Sequence, residues 1–299
     1  ADRRLERPMT LDAAWPAPAK LNLFLHLTGR RSDGYHELQT VFQLVDLVDE
    51  LQFELLEAPG FTREIHGLGA QALSAEPASS DLAVRAASAL QEATGHRGGA
   101  HIRIHKRIPH GGGLGGGSSD AATTLVALNA RWETRLSTVE LATIGARIGA
   151  DVPMFVHGAS AWADGLGERL TSIALPQQWF LIIHPGVAIA TREVFQAPDL
   201  TRNSALITIR AFFKAGGRND CETVVRRRYP AVAEALDWLT AYAPARLTGT
   251  GSCIFAGFAS AAAAERVAAR VPDVWRSFVV RGLQHSPLLA RVSARSTPA

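Results

Sequence analysis

"PHGGGLGGGSSDAA", residues 109–122, places six glycines in the seven positions 111–117 and then continues into small, helix-forming residues. An alternating apolar segment, AHIRIHKRI, comes immediately before it. Glycines between a strand and a helix allow backbone N–H groups to approach a ligand closely, and the N-terminus of a helix attracts anions. The stretch therefore predicts a phosphate-binding loop, since an unstructured linker would not lie between a strand and a helix.

Two common kinds of phosphate loop do not explain this stretch. The G-x-G-x-x-G spacing of a dinucleotide-binding loop occurs within residues 111–116, but that fold requires an acidic residue closing a second strand about 20 residues later. Here a helical pattern continues past Arg131 instead. The glycine spacing of a Walker A loop also occurs, but Ser118 stands where that loop requires a lysine. Neutralisation of a phosphate must therefore come from the helix N-terminus, from Mg²⁺ and from a lysine elsewhere in the chain.

The segments before the loop have the patterns of strands. KLNLFLHLTG, residues 20–29, alternates strictly and predicts a half-buried strand with Lys20 and Asn22 on its polar face. The chain has only three lysines among 31 basic residues, so a lysine in such a position is informative. The run ELQTVFQLVDLVDELQFELLE predicts two further strands, interrupted near Asp49 and Glu50.

Three segments have the start and stop signals of helices. SSDLAVRAASALQEATG, residues 79–95, begins with capping residues and ends in glycine. STVELATIGARIG, residues 137–149, opens with a capping box and also ends in glycine. The helix that follows the glycine loop has Ser118, Ser119 and Asp120 as candidate N-terminal caps.

Composition limits the class of protein. The chain has 299 residues, 47% of them hydrophobic, and no apolar run approaches the ~20 residues that a membrane span requires. Two distant cysteines argue against a disulfide framework, and the first residues lack the apolar core of an export signal, so we expect a cytoplasmic protein. The isoelectric point of 9.2 is basic, but the net charge is only +3 and the arginines are scattered, so we expect neither a nucleic-acid nor a membrane partner.

The pattern changes in the second half of the chain. From about residue 159, strands arranged as hairpins alternate with helices, which is typical of an α+β domain rather than of a parallel βαβ series. We therefore predict two domains, residues 10–165 and residues 166–290.

Three further segments give the loop a family context. Residues 16–43 (PAPAKLNLFLHLTGRRSDGYHELQTVFQ), 149–158 (GADVPMFVHG) and 247–255 (LTGTGSCIF), together with the glycine loop, resemble the motifs of the galactokinase, homoserine kinase, mevalonate kinase and phosphomevalonate kinase superfamily. The similarity is strongest to a branch that acts on cytidine diphosphate methylerythritol, and it extends from Ala17 to about Gly282. It implies an α+β fold of two domains: an ATP-binding domain like ribosomal protein S5 domain 2, followed by a ferredoxin-like domain on the substrate side.

The resemblance also implies an activity and its catalytic residues. It implies an ATP-dependent, Mg²⁺-requiring kinase for a small-molecule alcohol, with Asp151 as the general base and Lys20 beside it. How Mg²⁺ is held is left open. The implied ATP-binding residues are those of the loop: Pro109, His110, Gly111, Gly112, Gly113, Leu114, Gly115, Gly116, Gly117, Ser118 and Ser119. The implied phosphate-side glycines of the third motif are Gly249 and Gly251.

A second set of residues is implied for the substrate. Tyr35 and Phe195 would stack on either side of a cytosine, and His36 would contact its polar edge. Asn22 would hydrogen-bond the substrate alcohol. The implied substrate-binding residues are Asn22, Tyr35, His36, Phe42, Thr191 and Phe195.

Other interpretations remain at this point. Taken singly, Asp151 fits a solvated turn, Lys20 an exposed strand edge and Phe195 a core position. A sister kinase acting on homoserine, mevalonate or a sugar would share the loop but would have no use for a cytosine clamp. An RNA-binding protein would explain the basic isoelectric point, although the chain lacks a basic stripe.

Overall fold

The computed structural model describes residues 13–32 and 34–295. Most of the N-terminal stretch whose composition argues against an export signal lies outside these ranges. Within them, no helix combines the length and the apolarity needed to cross a membrane.

The described residues form ten strands and eleven α-helices around one sheet. The strands are β1 (Trp15–Arg30), β2 (His36–Leu56), β3 (Phe61–Gly67), β4 (Gly99–Lys106), β5 (Ala161–Gly165), β6 (Arg169–Ser172), β7 (Trp179–His184), β8 (Ala245–Leu247), β9 (Ile254–Phe258) and β10 (Arg276–Leu283). The helices are α1 (Ala70–Ala75), α2 (Leu82–Thr94), α3 (Gly116–Arg131), α4 (Thr138–Ala146), α5 (Val152–His157), α6 (Thr191–Phe195), α7 (Ile209–Ala215), α8 (Glu222–Arg228), α9 (Pro230–Thr240), α10 (Ala261–Ala268) and α11 (Pro287–Arg295).

The long strand β2 organises the sheet. It pairs antiparallel with β1 along most of its length, with β4 near its end, and with β5 near its start. Strand β10, from the second predicted domain, pairs with both β2 and β7, so the sheet is continuous across the chain in the order β3-β4-β2-β10-β7-β9-β8. The division into residues 10–165 and 166–290 stays a prediction.

Apolar side chains pack on both sides of this sheet. Helices α2, α3 and α5 cover the N-terminal half through residues such as Leu90, Leu125 and Phe155. In the C-terminal half, α9 packs against β8 and β9, α8 packs against α9, and α10 covers β7, with Leu236 and Ile254 in a second core. Helices that cover the sheet have one apolar face, or are apolar all round where they are buried. Packing of these apolar faces against the sheet supplies most of the stability of the helices.

Strand β1 is buried on both faces rather than one. Lys20 is 4% exposed and Phe24 on the same side is fully buried, so the prediction of a half-exposed strand was wrong. The reason is that β1 lies between elements of both halves: its Leu25 contacts Asn219 by a bridge, and Phe24 packs on Trp162 and Phe212. Local alternation identified the two faces but not what covers them.

Two other local expectations were also wrong. Strand β2 is not interrupted, because Asp49 is buried within it and accepts hydrogen bonds from the backbone N–H groups of Arg107 and Ile108. Helix α3 begins at Gly116 with Gly115 as its N-cap, so Ser118, Ser119 and Asp120 lie inside the helix and none of them caps it. The caps of α2 and α4 are as predicted, although α4 ends at Ala146 instead of Gly149.

Candidate active site

The glycine loop needs glycine for both conformation and space. Gly113 and Gly115 have φ of 75°, a conformation that other residues rarely adopt. A Cβ atom at position 113 would lie 2.2 Å from the carbonyl oxygen of Thr248. A Cβ at position 115 would lie 2.9 Å from the Phe155 ring and 3.2 Å from Cε of Lys20. The loop is therefore packed closely against the third motif and against Lys20.

The third motif holds the other side of the loop. The backbone N–H of Cys253 donates to the carbonyl of Gly112 at 3.0 Å. Gly249 and Gly251, both at positive φ, lie in the turn between β8 and β9 that carries this contact. The two glycine segments, far apart in the sequence, therefore form one surface.

The N-terminus of α3 opens onto this surface. No side chain caps the helix, and the N–H groups of its first turn have no partner within it. Loop residues 109–118 line a cavity of about 1410 Å³, and Ser119 is buried behind them. The Ser119 hydroxyl has no hydrogen-bond partner among the described residues. These groups form a site suited to an anion.

Lys20 and Asp151 lie together beside the loop. Asp151 directly precedes α5, and its Oδ2 is 3.3 Å from Nζ of Lys20. Both residues line the cavity, and the aspartate side chain, 32% exposed, is more open to it than the lysine side chain, which is 5% exposed. The backbone N–H of Lys20 donates to the carbonyl of Leu114 at 3.0 Å, which fixes the lysine to the loop itself.

Asn22 positions the lysine. Its Oδ1 accepts a hydrogen bond from Nζ of Lys20 at 2.5 Å, and its Nδ2 donates to Oγ1 of Thr40 at 2.9 Å. Nζ of Lys20 also lies 5.5 Å from the centre of the Phe42 ring, within the range of a cation–π contact. The buried ammonium is therefore surrounded by a carboxylate, an amide oxygen and an aromatic face.

The aromatic residues gather at the far end of the same cavity. The rings of His36 and Phe195 stack with centroids 5.2 Å apart and planes at 21°. Tyr35 lines the same cavity and is 64% exposed. Thr191 also lines the cavity, and its hydroxyl lies 3.1 Å from that of Thr250.

Comparison with known proteins places the chain in a family. Residues 81–159 match the family described as GHMP kinases N terminal domain, and residues 192–277 match GHMP kinases C terminal. The chain is 55% identical over 284 residues to a protein of Alkalilimnicola ehrlichii named 4-diphosphocytidyl-2-C-methyl-D-erythritol kinase, covering 95% of this chain and 96% of the relative. The chain belongs to the 4-diphosphocytidyl-2-C-methyl-D-erythritol kinase family.

Solved structures agree with this membership. A crystal structure of a 4-(cytidine 5'-diphospho)-2C-methyl-D-erythritol kinase superposes with a TM-score of 0.76 at 33% identity, covering 90% of this chain and 98% of that one. The Methanococcus jannaschii mevalonate kinase superposes with a TM-score of 0.66 at 14% identity, over 92% of this chain and all of that one, and shows likeness of fold alone. The predicted α+β kinase fold is confirmed, and the chain is an ATP-dependent kinase.

Sequence reasoning missed a buried charged cluster under the loop of this kinase. Lys106, at the end of β4, forms ion pairs with Asp49 of β2 and Asp120 of α3, and all three are buried. Burial opposes the charge of Lys106, but the two carboxylates outweigh it and raise the pKa of the lysine. Burial raises the pKa of Asp120 to about 7, with a further increase from Asp49 and a decrease from Lys106. The rarity of lysine in the chain was the signal that could have identified this cluster.

The kinase cavity also has an apolar arm that the sequence did not indicate. It extends from the loop toward β3 and α2, where Ile65, Leu73, Leu82 and Ile104 line it. Arg63 at its edge donates two hydrogen bonds to the carbonyl of Leu73 at 3.0 Å. The glycine loop therefore lies between an apolar arm on one side and the His36–Phe195 pair on the other.

Proposed function

We propose that the chain transfers the γ-phosphoryl group of ATP to the 2-hydroxyl of 4-diphosphocytidyl-2-C-methyl-D-erythritol, giving the 2-phosphate and ADP. This step belongs to the non-mevalonate route to isoprenoid precursors, and we place it in the cytoplasm, where two buried free cysteines would stay reduced. The observation that carries the proposal is the contact between Lys20 and Asp151 beside the glycine loop, in a cavity that continues to an aromatic pair.

Asp151 is the proposed general base. Its partly exposed carboxylate accepts the proton of the substrate hydroxyl while the hydroxyl oxygen forms a bond to the γ-phosphorus of ATP. The bond from that phosphorus to the β–γ bridging oxygen breaks, and its electron pair leaves with ADP. Such proton transfer contributes about 10²- to 10⁴-fold to a rate.

Lys20 is the proposed electrostatic partner of that base. Its ammonium lies 3.3 Å from the carboxylate, and the hydrogen bond from Nζ to Asn22 fixes its position. A buried positive charge here holds the carboxylate in one orientation and offsets negative charge that develops on the transferred group. Asn22 lines the cavity, and its Nδ2 donates one N–H to Thr40, so we propose that the second N–H of Nδ2 binds the substrate alcohol while Oδ1 orients the lysine.

The glycine loop and the apolar arm are the proposed ATP site. The uncapped first turn of α3 supplies N–H groups for the triphosphate, and the segment that carries Gly249 and Gly251 supports the loop from the other side. The arm lined by Ile65, Leu82 and Ile104 provides an apolar surface for adenine. This arrangement directs the γ-phosphate toward Asp151.

Mg²⁺ is the proposed cofactor, carried by the nucleotide. The described residues contain no group of three metal-ligating side chains, and Lys106 already pairs with the carboxylate of Asp120. Mg²⁺ commonly keeps several waters and binds substrate phosphates, so these residues fit an ion held mainly by ATP. When bound, Mg²⁺ would offset charge on the β- and γ-phosphates.

Tyr35, His36 and Phe195 form the proposed cytidine end of the site, with Thr191 near them and Phe42 beside the reacting alcohol. A sister kinase for homoserine or mevalonate would have no use for an aromatic pair in the same cavity. The aromatic end therefore favours a substrate that carries a base.

A comparison of substrates tests the proposal. ADP release is measured with ATP, Mg²⁺ and, in parallel, the cytidine substrate, mevalonate or homoserine, each with and without CDP as a competitor. We expect turnover with the cytidine substrate alone and competition by CDP. Turnover with mevalonate or homoserine that CDP does not inhibit would establish a sister kinase instead.

A further inference from the structure

Arg202 joins the two aromatic residues at the end of the cavity. This residue lies between α6 and α7, and its Nε donates a hydrogen bond to Nε2 of His36 at 3.0 Å. One terminal nitrogen donates to the carbonyls of Phe195 and Ala197, at 3.0 and 2.6 Å, and the other donates to the carbonyl of Leu200 at 3.0 Å. All three guanidinium nitrogens therefore bind the protein, and the arginine is a planar clamp.

The clamp determines which nitrogen of His36 carries the proton. A guanidinium donates hydrogen bonds and cannot accept them, so Nε2 of His36 must be the acceptor. In a neutral imidazole the proton is then on Nδ1. Burial, then the charges of Arg202 and Arg30, lower the pKa of His36 and keep the ring neutral near pH 7.

The same clamp determines where that proton points. Stacking on Phe195 fixes the plane of the imidazole, and the bond to Arg202 fixes its rotation within that plane. Nδ1 of His36 makes no hydrogen bond to any described residue, and the ring lines the cavity. The imidazole therefore presents its one N–H donor, on Nδ1, to the cavity.

We propose that Arg202 is a specificity-determining positioning residue, which holds His36 as an Nδ1–H donor so that the site selects a base whose ring nitrogen accepts a hydrogen bond. The inference rests on the proposed function, in which the substrate carries cytosine. N3 of cytosine is an acceptor, whereas N3 of uracil carries a proton and would face the His36 donor. One unmatched buried donor reduces binding by roughly 10- to 100-fold.

The test compares CDP with UDP as ligands. Dissociation constants of both are measured by calorimetry for the wild type, for Arg202→Met and for Arg210→Met, an exposed arginine of α7 that serves as the control. We expect at least tenfold preference for CDP in the wild type and in Arg210→Met, and less than about threefold in Arg202→Met. The affinity for an ATP analogue should be equal in all three, and the Arg202 variant should raise KM for the cytidine substrate more than it lowers kcat.

Two readouts separate this role from a merely structural one. Nitrogen-15 NMR of the wild-type imidazole should show His36 protonated on Nδ1 and not on Nε2. In Arg202→Met, loss of the neighbouring charge should raise the pKa of His36, which the same spectra follow as the pH is lowered, and an unchanged pKa would contradict the contact.

The failures are distinguishable. A wild type that binds no CDP contradicts the proposed function. A wild type that binds CDP and UDP equally, or carries the proton on Nε2, overturns the role of Arg202 and leaves the proposed function intact. A CDP preference that survives in Arg202→Met overturns it as well.

Discussion

Replacing Asp120 with asparagine should change how the stability of this kinase depends on pH. Lys106 lies between two buried carboxylates, so the cluster has one negative charge in excess when both are ionised. Oδ1 of Asp120 has no hydrogen-bond partner among the described residues, whereas Oδ1 of Asp49 accepts two backbone hydrogen bonds. The excess charge is therefore removed most easily by protonating Asp120, in keeping with its pKa raised to about 7.

The sign of the effect follows from that shift. The pKa of Asp120 is higher in the folded protein than its ordinary value of 3.8, so between pH 4 and 7 the folded state binds a proton that the unfolded state does not. The wild type therefore loses stability as the pH rises, by up to about 1.4 kcal/mol per pH unit from this group. Asparagine removes the term, so the variant should gain about 2 to 3 kcal/mol relative to the wild type between pH 4.5 and 6.5.

Urea unfolding at a series of pH values measures this difference. The free energy of unfolding is extrapolated to water for the wild type, for Asp120→Asn and for Asp273→Asn, an exposed aspartate that gives the baseline for removing a surface carboxylate. A difference between Asp120→Asn and the wild type that stays constant with pH, or that shifts to favour the wild type as the pH rises, would show that Asp120 is ionised in the native protein and would refute the reasoning.

Three further outcomes are expected. Asp151→Asn should lower kcat by about 100-fold or more while the dissociation constant of ATP, measured by calorimetry, changes little; near-normal turnover would exclude Asp151 as the base. Gly113→Ala should weaken ATP binding and lower the melting temperature, because its Cβ would lie 2.2 Å from the Thr248 carbonyl at a φ of 75°; an unchanged KM for ATP would contradict this. Phe195→Ala should weaken CDP binding by roughly 5- to 150-fold through lost stacking, while ATP affinity stays as it was.

Features that depend on near neighbours in the sequence could be predicted. Asp81 caps α2 and Gly95 ends it, and Ser137 and Glu140 form the capping box of α4. These groups bond to backbone a few residues away, so the local sequence contains all partners of the interaction. The glycine loop belongs to the same class, because its position between a strand and a helix indicated a phosphate site before any fold was known.

Features that depend on residues far apart in the sequence could not be predicted from local sequence patterns. Asp49 suggested a break in β2 because a charge inside a strand is costly without a partner. Its partners, the amides of Arg107 and Ile108 and the ammonium of Lys106, come from the end of β4 and the two residues after it, more than 50 positions along the chain. In the same way, strict alternation placed Lys20 on the face of Asn22 but did not reveal that this face is buried.

Local sequence patterns alone could not predict the candidate site; the resemblance to a kinase family was also needed. Lys20 and Asp151 are 131 positions apart, and only the resemblance to a kinase family suggested that they meet. Arg202 had no local signal at all, since it is one of 28 arginines in the chain. Its importance depends on the direction of its hydrogen bonds, which the sequence does not contain.

Phosphorus NMR of the products tests the central claim most directly. The wild type is incubated with ATP, Mg²⁺ and 4-diphosphocytidyl-2-C-methyl-D-erythritol, with mevalonate and homoserine in parallel samples. The account predicts a new phosphomonoester resonance that grows in step with ADP in the cytidine sample alone, with the diphosphate of the substrate intact. ADP without a new monoester in that sample, or a monoester formed only from mevalonate or homoserine, would contradict the account.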